Sequence, residues 1–338
     1  MKTFPRASLA HLPTPLEPMP RLSAHLNGPP LYVKRDDCTG LAMGGNKARQ
    51  IEYYLGEALA QGADTVLITG AVQSNFVRQV AAGACKLGLN CHVQLENRVA
   101  DMPAAYHESG NVLLNRIFGA TIHHFPVGED EAAADRNLEK IAREVEAAGG
   151  RPYIIPLGAD HPPLGAVGYM DAAGEILDQA RGMGVGIGAF VTASGSAVTH
   201  AGLLTGLRHR GCDLPVAGIC VRRDAVQQSA RVLARCRDLE RLAGLPARIT
   251  ESDVWTTDAY LGPSYGKPTP QMFEAVRLAA RLEGLLVDPV YTGKVFAGAI
   301  GLVRDGTFSG EKAVVVLHTG GTPALFGYAH LFEDGWDG

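Results

Sequence analysis

Along the chain, short apolar runs bounded by turn residues alternate with longer stretches in which apolar residues recur at three- and four-residue spacing. The short runs predict buried strands at Leu31–Arg35, Thr65–Thr69, Cys91–Leu95, Thr121–Phe125, Pro152–Pro156, Ala189–Thr192, Val216–Val221 and Ala313–Leu317. Helical spacing predicts a helix behind Lys47, with Ile51, Tyr54, Leu55, Ala58 and Leu59 as its apolar stripe. Further helices are expected from Asn75 to about Leu87, over Gly110–Phe118, Glu129–Ala148 and Tyr169–Ala180, from Thr199 to about Arg210, and over Ala225–Leu242. Strands that alternate with helices make mainly parallel sheets with helices on both faces, an α/β fold. Two lobes with a cleft between them is the economical arrangement, and ligand chemistry belongs at the carboxyl ends of the strands. Residues 1–30 carry Pro5, Pro13, Pro15, Pro18, Pro20, Pro29 and Pro30 and are expected to wrap a surface more than build a core.

Composition narrows the class. A chain of 338 residues with 46% hydrophobic and 20% charged residues is long and apolar enough for two ordinary domains. A formal net charge of −4 and the lack of a lysine/arginine block remove any general attraction to nucleic acid or anionic membrane. The six cysteines, Cys38, Cys85, Cys91, Cys212, Cys220 and Cys236, form no C-x-x-C pair, which suits reduced thiols in the cytoplasm. The N-terminal residues lack an apolar signal region, and no run reaches transmembrane length, so a soluble protein is expected. His123, His124 and His161 lack metal-ligand spacing, and no metal site is predicted.

Four stretches could carry chemistry. In Gly44-Gly45-Asn46-Lys47 the lysine opens a helix behind two glycines, where it serves as a solvated cation, a phosphate contact or an amine nucleophile. Ser194-Gly195-Ser196-Ala197-Val198-Thr199 is a small-residue turn between strand and helix, able to cradle a phosphate or simply to cap. It has neither the G-K-[ST] of a Walker loop nor G-x-G-x-x-G spacing. Gln73-Ser74-Asn75 places Ser74 as an N-cap or a proton-transfer group, with Gln73 and Asn75 as carboxylate donors, and no G-x-S-x-G elbow supports a hydrolase. Tyr265, in a Gly-Pro loop, and Tyr291, opening a helix, read as core residues or as proton donors over a cofactor.

Together these stretches resemble the D-cysteine desulfhydrase and 1-aminocyclopropane-1-carboxylate (ACC) deaminase family. The likeness spans nearly the whole chain: L-P-T-P-L-E at 12–17, K-R-D-D at 34–37, G-G-N-K at 44–47 and Q-S-N-x-V-R-Q at 73–79. S-G-S-A-x-T-H-A-G at 194–202, D-P-V-Y-T-G-K at 288–294 and H-T-G-G-x-P-A-L-F at 318–326 complete it. The resemblance implies a pyridoxal 5′-phosphate (PLP) enzyme of the two-domain tryptophan-synthase-β-like fold (PLP fold type II). A larger domain of residues 1–50 and 166–338 would surround a smaller one of 51–165. Lys47 would form the Schiff base, and Gly195, Ser196, Ala197, Val198 and Thr199 would hold the phosphate. Asn75 would lie against the ring, and Thr292 or Thr319 would face its nitrogen. Gln73, Ser74 and Asn75 would take the substrate, flanked by Tyr265 and Tyr291, with Phe76 and His161 near the cleft. A homodimer is implied as well.

The reaction implied is β-elimination from a small amino acid, D-cysteine first, to a 2-oxo acid and ammonia. ACC deaminases resemble one another in a glutamate after the tyrosine of D-P-V-Y, whereas this chain has Thr292, and Thr322 replaces their leucine. Desulfhydrases usually show Q-S-N-H and a G-G-S-N loop, whereas this chain has Phe76 and Gly158-Ala159-Asp160-His161. These departures leave thiol, sulfite (as in the related cysteate sulfo-lyases) or a bulkier group open as leaving group. Readings of other classes are a catalytically idle cofactor-binding protein and a metal-dependent hydrolase.

Overall fold

A computed structural model describes residues 2–128, 130–158 and 161–332. In chain order it begins with β1 (Leu16–Pro18), α1 (Pro20–Leu26), β2 (Leu31–Arg35), α2 (Lys47–Ala60), β3 (Thr65–Ala71), α3 (Asn75–Leu87), β4 (Asn90–Glu96) and α4 (Ala104–Glu108). Next come α5 (Gly110–Ile117), β5 (Thr121–Phe125), α6 (Glu131–Ala147), β6 (Pro152–Ile155), α7 (Val167–Gly182), β7 (Ile187–Ser194) and α8 (Val198–Arg208). The rest are β8 (Val216–Cys220), α9 (Ala225–Ala243), β9 (Trp255–Thr257), α10 (Pro270–Glu283), α11 (Thr292–Arg304), β10 (Ala313–His318) and α12 (Thr322–Gly327). Glu129, expected to start a helix, and Ala159 and Asp160 of the loop after β6 lie outside the described residues.

Two sheets form. The larger has strand order β1-β2-β10-β7-β8-β9 and the smaller β5-β4-β3-β6. Every pairing is parallel except β1 with β2 at the edge. The apolar run of β10 explains its central place: a strand buried on both faces needs no polar alternation. Val314 and Val316 pack with Val33, Val191 and the α10 and α11 side chains Ala275 and Phe296. Val315 and Leu317 point the other way, against Phe190, Tyr169 and Leu204. In the smaller sheet Val66 and Ile68 of β3 face the α2–α3 side, while Leu67 packs on Leu138 and Ile141 of α6.

The proline-rich start does more than wrap a surface. It adds edge strand β1 and helix α1, whose Leu22 joins Met19 in the core, both essentially inaccessible. Pro20 sits in the first turn of α1, where its missing N–H has no partner to lose.

A buried ionic network then fixes where α2 begins. Arg49 Nη2 donates to Asp36 Oδ1 at 2.9 Å and to Glu175 Oε1 at 2.8 Å, and its Nε donates to Asp36 Oδ2 at 3.0 Å. Thr14 and Tyr169 hydroxyls also donate to Asp36, and Lys34 Nζ meets Glu175 at 2.5 Å. This joins β2, α2 and α7 through charges that solvent hardly reaches. Asp36 is therefore core, although it reads as a loop residue in sequence.

Candidate active site

The carboxyl ends of β3, β7, β8 and β10 converge on one cleft. Parallel strands present their C-terminal turns and the following helix N-termini to the same side, so the cleft collects unpaired amides and short polar side chains.

Lys47 is the first residue of α2, half-buried and lining this cleft. Its Nζ donates to Gln50 Oε1 at 3.1 Å and stands 4.9 Å from the Phe76 ring centroid. Desolvation lowers its pKa to about 8, because charge is disfavoured away from water. The turn before it depends on Gly44 (φ +66°), where a Cβ would lie 1.7 Å from the Asp37 carbonyl. Arg78, buried beneath this turn, donates to the Gly44 carbonyl at 2.8 Å.

Opposite lies the turn from β7 into α8. Ala197 takes φ +73° and opens α8. Among the described residues the Ser196 and Ala197 amides donate to no backbone acceptor. Thr199 Oγ1 accepts from Asn46 Nδ2 and Gln50 Nε2, both at 2.8 Å. A hydroxyl that accepts twice still has a proton to donate. Free amides, a helix N-terminus and that hydroxyl form a donor set suited to a phosphate.

At the end of β3, Ser74 caps α3: its Oγ accepts from Val77 N at 3.2 Å. Gly70 makes room for it, since a Cβ there would stand 2.8 Å from Ser74 Oγ. Asn75 Oδ1 is held by Asn111 Nδ2 at 3.1 Å. The hydroxyls of Tyr265 and Tyr291 are 2.7 Å apart and share a hydrogen bond, and burial raises both phenol pKa values. Lys294 Nζ steadies the loop before Tyr265 by donating to the Leu261 carbonyl at 2.6 Å.

Of the residues singled out in sequence, Lys47, Ser74, Asn75, Phe76, Gly195, Ser196, Ala197, Thr199, Tyr265, Tyr291 and Thr319 line the cleft. Val198 and His161 face a small annex that shares Phe76 and Ser196 with it. Gln73 and Thr292 stand apart from these. Gln73 does not reach the cleft: its amide donates to the Tyr106 and Ser109 carbonyls at 2.6 and 3.0 Å and accepts from Asn111 N at 2.9 Å. It bolts α3 to α5. Thr292 is equally engaged, donating to Asp288 Oδ1 at 2.7 Å behind the cleft wall, whereas Thr319 lines the cleft. Sequence reasoning missed Arg98, Glu131, Arg222 and Arg231, which also line the cleft. The carboxyl-end rule pointed to Arg222, one residue past a predicted strand. Nothing local marks Glu131.

A lysine that meets no carboxylate among the described residues, opposite an amide cradle at the carboxyl ends of parallel strands, makes a donor set that suits a cofactor held through an amine and a phosphate, such as PLP. The profile of the family described as "Pyridoxal-phosphate dependent enzyme" matches residues 7–320. The chain belongs to that family, and its cofactor is PLP. It is 45% identical over 325 residues to the D-cysteine desulfhydrase of Salmonella typhi, covering 96% of each chain. A solved ACC deaminase homologue is 33% identical and superposes with a TM-score of 0.87, covering 97% of this chain and 95% of that one. An O-ureido-L-serine synthase, 17% identical with a TM-score of 0.65 over 96% of this chain and 94% of that one, shares the fold. No helix among the described residues is long and apolar enough to cross a membrane.

Proposed function

We propose that this enzyme eliminates a β-substituent from a small amino acid, D-cysteine first, releasing a 2-oxo acid, ammonia and the leaving group. The observation that carries the reading is Lys47: an amine in the cleft, bonded among the described residues to a neutral amide alone and with its pKa near 8, flanked by Ser74 and the Tyr265–Tyr291 pair. The 45% identity to a D-cysteine desulfhydrase supports that substrate.

PLP would be held by Lys47 through its amine, by Gly195, Ser196, Ala197 and Thr199 around the phosphate, by Asn75 beside the ring and by Thr319 at its nitrogen. When bound, it withdraws electrons from the substrate Cα, so that a proton there becomes acidic. Lys47, neutral over much of the range above pH 8, accepts that proton. The N-terminus of α3, with Ser74 and Asn75, orients the substrate carboxylate through its free amides. Ser74 passes a proton to or from the reacting carbons. Tyr265 and Tyr291, kept protonated by burial, shield the substrate from water and offer one phenol proton to the leaving group. Gln73 and Thr292 act by holding α3 and the Asp288 turn in place.

We further infer a homodimer in the cytoplasm, with residues 1–50 and 166–338 as one domain and 51–165 as the other. The grouping of β3, β4, β5 and β6 into one sheet supports that division, and six unpaired cysteines suit a reducing compartment.

The test is a visible spectrum of purified protein titrated with D-cysteine, L-cysteine, L-cysteate and ACC while keto acid is assayed. A yellow protein that releases pyruvate from D-cysteine is the expected result. A protein that PLP cannot turn yellow would overturn the assignment.

A further inference from the structure

At the end of the smaller sheet remote from the cleft, two histidines meet that sequence spacing keeps apart. Leu67 pairs with His92 and Gln94 with His123, so His92, Gln94 and His123 share the face that Leu67 turns to α6. His92 Nδ1 and His123 Nε2 stand 3.1 Å apart, their rings stacked within 21° of parallel. Both side chains are half-buried in a depression at the starts of β3, β4 and β5, which Glu144 of α6 also lines. No described residue of this depression lines the PLP cleft.

Two imidazole nitrogens this close share either one proton or one cation. A metal about 2.0–2.1 Å from each nitrogen subtends an angle of about 100° across the 3.1 Å gap, close to tetrahedral. The outer nitrogens, His92 Nε2 and His123 Nδ1, bond no protein group among the described residues. The ring that now donates can therefore move its proton to its outer nitrogen through solvent, and no net proton is lost. No three His, Cys, Asp or Glu side chains among the described residues already stand at ligand distance, so a third ligand has to swing in. Glu144 is free to do so: its side chain is 62% exposed, and its ion pair with Lys140, itself 69% exposed, is 3.9 Å long and weak. Burial lowers the pKa of both rings while the Glu144 carboxylate pulls against it, so that carboxylate already acts on the pair.

We propose that His92, His123 and Glu144 hold one divalent cation of the class that imidazole favours, Zn²⁺ foremost, with water completing its shell. The cation ties edge strand β5 to β4 and to α6, and it stands apart from the elimination chemistry. Two imidazoles disfavour Mg²⁺, which demands oxygen ligands. The sequence hides this site because His123 and its neighbour His124 point to opposite faces of the strand, while the partner His92 lies 31 residues away.

The purified protein, dialysed against EDTA and then into metal-free buffer, is titrated calorimetrically with Zn²⁺ and with Mg²⁺. His92→Gln, His123→Gln, Glu144→Gln and Cys85→Ser are titrated alongside, the last because that exposed thiol lines the same depression. The expected result is one Zn²⁺ per chain and no uptake of Mg²⁺. Affinity for Zn²⁺ falls about 100-fold in each histidine variant and about tenfold in Glu144→Gln, and it is unchanged in Cys85→Ser. Zn²⁺ raises the Tm of the wild type and not that of His92→Gln, since a ligand of the folded state stabilises it. X-ray absorption at the zinc edge of the wild-type complex shows nitrogen and oxygen neighbours at about 2.0–2.1 Å and no sulfur. A wild type that takes up no Zn²⁺, or takes up Mg²⁺ as well as Zn²⁺, would overturn the site. So would Zn²⁺ affinity that survives both histidine substitutions, or that is lost in Cys85→Ser. Should a histidine variant fail to fold, the absorption spectrum of the wild-type complex decides alone: imidazole neighbours sustain the site and sulfur neighbours end it.

Discussion

Two cations stand two residues apart at the start of α2 and meet opposite surroundings. Arg49 is 1% exposed and bonded to both Asp36 and Glu175, so its charge is held in place. Lys47 has a side-chain amide and an aromatic face, with no carboxylate among the described residues, and its pKa drops to about 8. Burial alone does not decide what a buried cation does; the partner does. Arg49 is a structural pin, and Lys47 is chemically available because the fold withholds a counter-ion from it. A pinned Arg49 also keeps Lys47 pointing into the cleft, since both belong to one helical turn.

The sharpest way to break this contrast is to remove Lys47. In Lys47→Ala, keto acid release should fall by about four orders of magnitude, and PLP should yield no 400-nm-region protein band. A normal band in that variant would refute the assignment of the amine. Arg49→Met should act on stability instead: it leaves the buried Asp36 without its cation and Glu175 with Lys34 alone, and urea unfolding should show a loss of about 3–5 kcal/mol. A loss below about 1 kcal/mol would mean that the network does not hold α2. Ser74→Ala should keep the visible band and lose roughly 100-fold in turnover, with about 1 kcal/mol of stability from the missing cap. Undiminished turnover would confine Ser74 to capping. The smallest effect is pH-dependent. Because the neutral amine attacks the aldehyde, the rate at which apoprotein takes up PLP should rise tenfold per pH unit below about 8 and level off above it. A rise continuing towards pH 10.5 would show that Lys47 is not desolvated.

Much of the fold was legible because periodicity is a local record of burial. Ala313–Leu317 reads as a strand buried on both faces and proves to be the central β10. Alternation of strand and helix predicted parallel sheets, and among the described residues nine of ten strands pair that way somewhere, whereas β1 pairs antiparallel with β2. The first 30 residues misled because prolines suggested wrapping, while Met19 and Leu22 carried too short an apolar signal to announce a core segment.

The sequence by itself determined the strand–helix alternation, the glycine turn ahead of Lys47, the small-residue loop at 195–199 and, through their resemblance to a known family, the cofactor. Tertiary structure alone decided which polar side chains remain available. Gln73, Ser74 and Asn75 are consecutive, yet the first is locked onto α5 while the other two face the cleft. Thr292 and Thr319 were equivalent on paper until Asp288 claimed one of them. The Glu131 cluster joins the start of α6 to residues beyond β8, and no local pattern encodes that meeting. Hydrophobic spacing is set by neighbours within a turn or a strand, whereas the pairing of charges and hydroxyls depends on groups that distant segments bring together.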